Sequence, residues 1–153
     1  MAKNTKAKRK KPPIFLFSLG GLFIALIASL TIFNLLNPNY TYDDERFTHV
    51  ASWNTFLSDQ APEEDVYLVY LYLETCGACI QIKQQVLSFA ANNPQDIPMF
   101  LADANAPVLR ATANNRPGSS TAVPTMLLMQ GNTVLQEVTG VTPVLDLLED
   151  LRQ

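Results

Sequence analysis

Hydrophobic and polar positions change their spacing several times along the chain, and each spacing predicts a different element. The longest apolar run comes first: Ile14 to Leu36 reads IFLFSLGGLFIALIASLTIFNLL, uncharged, with Ser18, Ser29, Thr31 and Asn34 as its polar breaks. A helix needs about 20 apolar residues to cross a bilayer core. A buried helix of a soluble domain would show a polar face over this length, and this run shows none. The run is too long for the core of a cleaved signal peptide, and Ala25-Leu26-Ile27-Ala28 has the wrong spacing for a small-x-small cleavage site. The expectation is an uncleaved signal anchor over 14–36.

Residues 37–46, with Asn37-Pro38-Asn39 and Asp43-Asp44, are polar and turn-rich, and read as a linker to a domain over 47–153. Val50, Trp53, Phe56 and Leu57 recur at helical spacing, predicting an amphipathic helix over about Thr48 to Ser58. Pro62-Glu63-Glu64-Asp65 breaks it. VYLVYLYL, Val66 to Leu73, is a continuous β-branched, aromatic and aliphatic run, as in a strand buried on both faces. Helical spacing returns at Ile82, Val86, Leu87, Phe89 and Ala90 and ends at Asn92-Asn93-Pro94.

A second buried strand is predicted from Ile97 to Ala102, then a short helix around Val108 to Asn114 and a loop at Arg116 to Ser120. Val123 to Met129 and Thr133 to Val138 read as two strands joined by the turn Gln130-Gly131-Asn132. Beyond Gly140, Val144, Leu147, Leu148 and Leu151 mark a closing helix. This order implies an α/β domain: a mixed sheet, parallel in its first half and a hairpin in its second, with helices on both faces.

Charge adds an orientation. Six of the eleven Lys and Arg residues lie within the first eleven positions, which leaves five against fourteen acidic residues in the remainder. Residues 1–13 thus form a basic tail before the apolar run, and Asp43, Asp44 and Glu45 follow it. The positive-inside rule keeps such a tail cytoplasmic and exports the rest. The chain is therefore expected at the plasma membrane as a single-pass protein with its domain extracytoplasmic, where disulfides persist. Beside a span, the basic tail reads as a topology determinant and not as a nucleic-acid arm.

The domain's chemistry concentrates in Glu74-Thr75-Cys76-Gly77-Ala78-Cys79, which holds both cysteines. They fall between a buried strand and the next helix, the end of a sheet where open α/β folds place their sites. At a helix N-terminus, unpaired N–H groups and the helix dipole stabilise a thiolate, so Cys76 is the expected nucleophile, with Gly77 letting the turn close. Cys79 follows one helical turn later and could resolve a mixed disulfide. A zinc site wants four ligands, and the chain offers two cysteines and His49, on the predicted first helix. No metal or other cofactor is therefore expected. A Cys-His hydrolase would also have to use His49, which nothing places near Cys76. A purely structural disulfide over so short a loop would constrain the unfolded chain little.

The order of elements, ETCGAC and AVPTMLLMQGNTVLQEVTG together resemble the thioredoxin family over about Phe47 to Arg152. The resemblance implies a thioredoxin-like fold, a cis proline at Pro124, and a substrate groove built by Val123 and Pro124 with Thr75 and Ala78. It implies a thiol-disulfide oxidoreductase acting on protein thiols or disulfides; facing outward as a reductant, such a domain would need electrons from a separate membrane redox partner. A redox-inert thioredoxin-like binding or chaperone module is the competing class. Thr75 stands where the family usually has Trp, Ala78 where it commonly has Pro, and Tyr70 where it has a buried acid. Either Glu74, Asp103 or water would then have to replace that acid, or the exchange would be slower.

Overall fold

The computed structural model describes residues 23–31, 39–63 and 65–153. The basic tail and most of the expected anchor lie outside them. Residues 23–31 are helical, with Phe23, Ile24, Leu26, Ile27 and Leu30 all about half exposed or more. Within this helix Thr31 hides its hydroxyl by donating to the Ile27 and Ala28 carbonyls at 2.8 and 3.0 Å. Among the described residues, no helix is long and apolar enough to cross a membrane. The chain divides into a unit over 1–39 and one over 40–153.

The second unit carries five strands: β1 (Thr48–His49), β2 (Val66–Tyr72), β3 (Met99–Asp103), β4 (Thr125–Gln130) and β5 (Thr133–Thr139). Its α-helices are α1 (Trp53–Thr55), α2 (Gly77–Asn92), α3 (Pro107–Ala111) and α4 (Val141–Asp150). The strands run in the order β1-β3-β2-β4-β5, with β1, β3 and β2 parallel and β4 and β5 antiparallel to their neighbours. The mixed sheet expected from the sequence is the one observed.

Central strand β2 shows why the two faces form. Leu68, Tyr70 and Tyr72 point into one core with Ile82, Val86, Leu87 and Phe89 of α2 and Val144, Leu147 and Leu148 of α4. Tyr67, Val69 and Leu71 point into the other, with Trp53, Phe56 and Leu109. Side chains alternate across a strand, so an unbroken apolar run serves both layers. Each large apolar side chain so buried contributes about 1.5–3 kcal/mol.

Two expectations change. The predicted first helix is split: Thr48 and His49 form edge strand β1 beside Phe100 and Leu101 of β3. His49 is therefore not on a helix, and its Nε2 lies 2.9 Å from the Tyr42 carbonyl oxygen. Ser52 starts the true helix by accepting from the Thr55 N–H at 3.1 Å, an N-cap that apolar spacing does not report. The helix then widens into a π-turn over Phe56–Gln60, closed by the Ala61 N–H on the Phe56 carbonyl at 2.7 Å. Phe56, fully buried, is held edge-on by Trp53, Tyr67 and Phe100, which fixes where that turn must sit.

The second change concerns residues 40–46, expected as linker. Tyr40 and Tyr42 are only 4% and 2% exposed and belong to the core beside α2. Gln84 clamps the Tyr40 backbone, accepting from its N–H at 3.0 Å and donating to its carbonyl at 2.8 Å. Tyr42 stacks on Tyr72 with ring centroids 3.8 Å apart, and Lys83 Nζ lies 4.5 Å from the Tyr42 ring centre.

Candidate functional site

Strand β2 ends at Tyr72 and α2 begins at Gly77, so the connection carries Leu73, Glu74, Thr75 and Cys76 to the sheet's carboxyl edge. Cys76 is itself the N-cap of α2: its sulfur accepts from the Cys79 N–H at 3.3 Å. Burial works against its ionisation, but contacts from the Cys79 thiol and the N–H groups of Cys79 and Ala78 outweigh it. The Cys76 pKa falls below the ordinary thiol value.

Cys79 differs although only one helical turn away. It is fully buried, and desolvation, together with the neighbouring Cys76, pushes its pKa up to about 11. Ionisation is therefore favoured at the first thiol and opposed at the second. Gly77, by contrast, does not close the turn as expected. An added Cβ there would meet nothing within 4 Å, and its backbone is not left-handed, so the position does not demand glycine.

The other wall comes from the loop before β4. The Val123–Pro124 peptide bond is cis, and the Cys76 thiol points at the Val123 carbonyl oxygen across 3.7 Å. The loop is held from behind: the Gly140 N–H donates to the Pro124 carbonyl at 2.9 Å, and Thr125 Oγ1 donates to the Ala122 carbonyl at 2.8 Å. Pro124 itself is buried, while Val123 is half-buried and lies beside the sulfur. Near Cys76 in the chain, Thr75 is exposed, Ala78 half-buried and Ile80 57% exposed. Of the sequence-predicted residues, Cys76 and Cys79 on one side and Val123, with its cis bond to Pro124, on the other thus meet from two elements far apart in the chain.

Glu74 and Asp103, weighed from the sequence as proton carriers, line a small cleft of about 90 Å³ with Leu73, Thr75 and Asn105. Glu74 is exposed there, and Asp103 accepts from the Asn105 N–H at 2.9 Å. The groups that bear on Cys79 are Cys76, the Leu73 backbone and Tyr70. Tyr70 is fully buried, and its hydroxyl and that of Tyr42 make no hydrogen bond of good geometry. Sequence reading noted Tyr70 only as a departure from the family's buried acid and left Tyr42 in the linker, because neither position reports where its hydroxyl lies. Among the described residues, no three His, Cys, Asp or Glu side chains gather as a metal site requires.

No protein-family model and no curated protein sequence matches the chain. Solved structures do. A thioredoxin of Fasciola hepatica superposes with a TM-score of 0.54 at 18% identity, covering 69% of this chain and 96% of the other. Thioredoxin f from spinach chloroplast, short form, gives 0.53 at 22%, covering 70% and 94%. A chain of a complex between ferredoxin:thioredoxin reductase and thioredoxin f2 gives 0.55 at 24%, covering 70% and 96%. The neighbours are matched over nearly their whole length, so with its five-stranded mixed sheet and helices on both faces this chain has the thioredoxin fold.

Proposed function

We propose that the protein is a membrane-anchored thiol-disulfide oxidoreductase acting on extracytoplasmic protein thiols or disulfides. The observation that carries the reading is the placement of Cys76: its sulfur caps α2 at 3.3 Å from an N–H and faces the Val123 carbonyl at 3.7 Å. A low-pKa thiol at a helix N-terminus, set beside the backbone of Val123 just ahead of β4, suits an extended polypeptide that carries a disulfide.

In the reducing direction, Cys76 thiolate attacks one sulfur of the substrate disulfide. The new Cys76–substrate bond forms as the old S–S bond breaks, and the departing sulfur takes that electron pair and a proton. Cys79 then attacks Cys76, releasing the second substrate thiol and leaving the Cys76–Cys79 disulfide. The oxidising direction is the same sequence reversed. Val123, Thr75, Ala78 and Pro124 shape the rim against which the substrate segment lies.

The anchor rests on the uncharged run from Ile14 to Leu36 and the basic tail before it, and the half-exposed apolar face of residues 23–31 agrees with it. A separate membrane protein would supply or remove the electrons. Cys79→Ala tests the chemistry: with no resolving thiol, the full-length variant should accumulate mixed disulfides through Cys76 with exported proteins under mild oxidation. If no trapped species forms and Cys76 alkylates no faster than a peptide thiol, the domain is a redox-inert binding module instead.

A further inference from the structure

Behind the thiol pair lies an arrangement that the exchange chemistry above does not use. Tyr42, Tyr70 and Tyr72 stack in one core with Cys79: Tyr42 on Tyr72 at 3.8 Å, and Tyr72 on Tyr70 at 5.9 Å, nearly parallel in both pairs. The Tyr70 hydroxyl is close to both the Tyr42 hydroxyl and the Cys79 thiol. In the dithiol state neither hydroxyl completes a hydrogen bond, although the residues are 2% exposed or less. Burying a hydroxyl without a partner is costly, and two such groups in line, one beside the other and the nearer beside a sulfur, need a reason.

The thiol offers a reason. A neutral S–H is a weak acceptor, whereas a thiolate is a strong one. Cys79 must become a thiolate to resolve the mixed disulfide, and it has to do so where no water reaches it. Resting on the oxidoreductase reading, we propose that Tyr70 is a catalytic residue whose hydroxyl donates to the Cys79 thiolate as it forms, with Tyr42 as a positioning residue that donates to the Tyr70 oxygen. The two hydroxyls are a held reserve of donors, unused at rest and engaged only when charge develops at the resolving sulfur.

The step balances without any further reactant. Cys79 loses its proton, and its electron pair forms the bond to Cys76. The Cys76–substrate S–S bond breaks, and the substrate sulfur leaves with that bond's electrons and a proton. Each tyrosine keeps its own proton throughout, which fits hydroxyls whose ionisation burial opposes, Tyr42 being pushed up to about 12 and Tyr70 further. The other groups around this chain are Cys76, exposed Glu74 acting on Tyr42, and Lys83 over the Tyr42 ring.

The test uses the reduced full-length protein in detergent with one equivalent of 5,5′-dithiobis(2-nitrobenzoate). Attack by Cys76 releases the first nitrothiobenzoate, and resolution by Cys79 releases the second. In Tyr70→Phe the first phase should keep its wild-type rate while the second slows about tenfold to a hundredfold, the loss of one hydrogen bond to a charged group. Tyr42→Phe should slow the second phase less. Tyr70→Phe should also melt at a higher temperature than wild type, because an unpartnered buried hydroxyl is gone; a structural tyrosine would shift the melt down. A second phase unchanged in Tyr70→Phe, with the first intact, overturns the assignment. Should Tyr70→Phe lose both phases, Tyr42→Phe decides, and an unchanged second phase there overturns it. Absence of the first phase in the wild type would instead overturn the oxidoreductase reading, and this inference with it.

Discussion

Two cysteines with identical side chains, one helical turn apart, have opposite acidities because only one of them faces the end of a helix. Cys76 draws on N–H groups that α2 leaves unpaired, whereas at Cys79 burial and the neighbouring sulfur outweigh the Leu73 backbone and Tyr70. Alkylation of Cys76 against pH should therefore inflect below the usual thiol range. In Cys79→Ala the inflection should move up, since the contact from the Cys79 thiol is lost. The two thiols also oppose each other in stability. A lowered pKa at Cys76 stabilises the reduced protein above the unfolded-chain value, and this is lost as pH falls through the folded one. The raised pKa at Cys79 stabilises below the ordinary value of 9.0 and is lost as pH rises toward about 11. Denaturant midpoints across that range should fall less steeply in Cys79→Ala. The placement of the two cysteines at a strand-to-helix boundary was legible in the sequence from spacing and period. The tyrosine hydroxyls were not, because whether a buried hydroxyl has a partner depends on residues that meet only in the fold.

At the scale of elements, period and propensity located every strand of the hairpin half and both long helices, since these bury continuous faces against one sheet. They failed at the start of the domain, where Val50 and Trp53 lie at helical spacing but belong to different elements. The Val50 N–H donates to the Leu101 carbonyl at 2.8 Å, so it continues the β1 edge, and Ser52 opens the helix after it. A two-residue strand is too short to show a period, and the cap is a single side chain. Ser52→Ala should lower the unfolding free energy by about 1 kcal/mol in urea titration. Cys76 alkylation should not change, because the cap lies on the opposite face of the sheet from α2. A larger loss, or a changed alkylation rate, would mean that the first helix and the thiol site are coupled through the sheet.

For the whole molecule, the consequential boundary is the one before the domain. Polar and turn-forming residues made 37–46 read as linker, since Tyr40 and Tyr42 are isolated among Asn, Thr and Asp and show no period. The fold uses them because α2 leaves a groove that two rings and one Gln84 clamp can fill, and because Tyr42 completes the stack over Tyr72 and Tyr70. A chain beginning at Phe47 should then unfold at lower urea than one beginning at Asn39. The difference should be at least about 3 kcal/mol, the usual cost of deleting one buried aromatic side chain. The shorter chain should also open Cys79, fully buried in the longer one, to alkylating reagents. Equal midpoints with Cys79 still protected would mean that residues 39–46 only rest on the domain. A loss of both stability and protection would mean that residues 39–46 are part of the domain and cover Cys79.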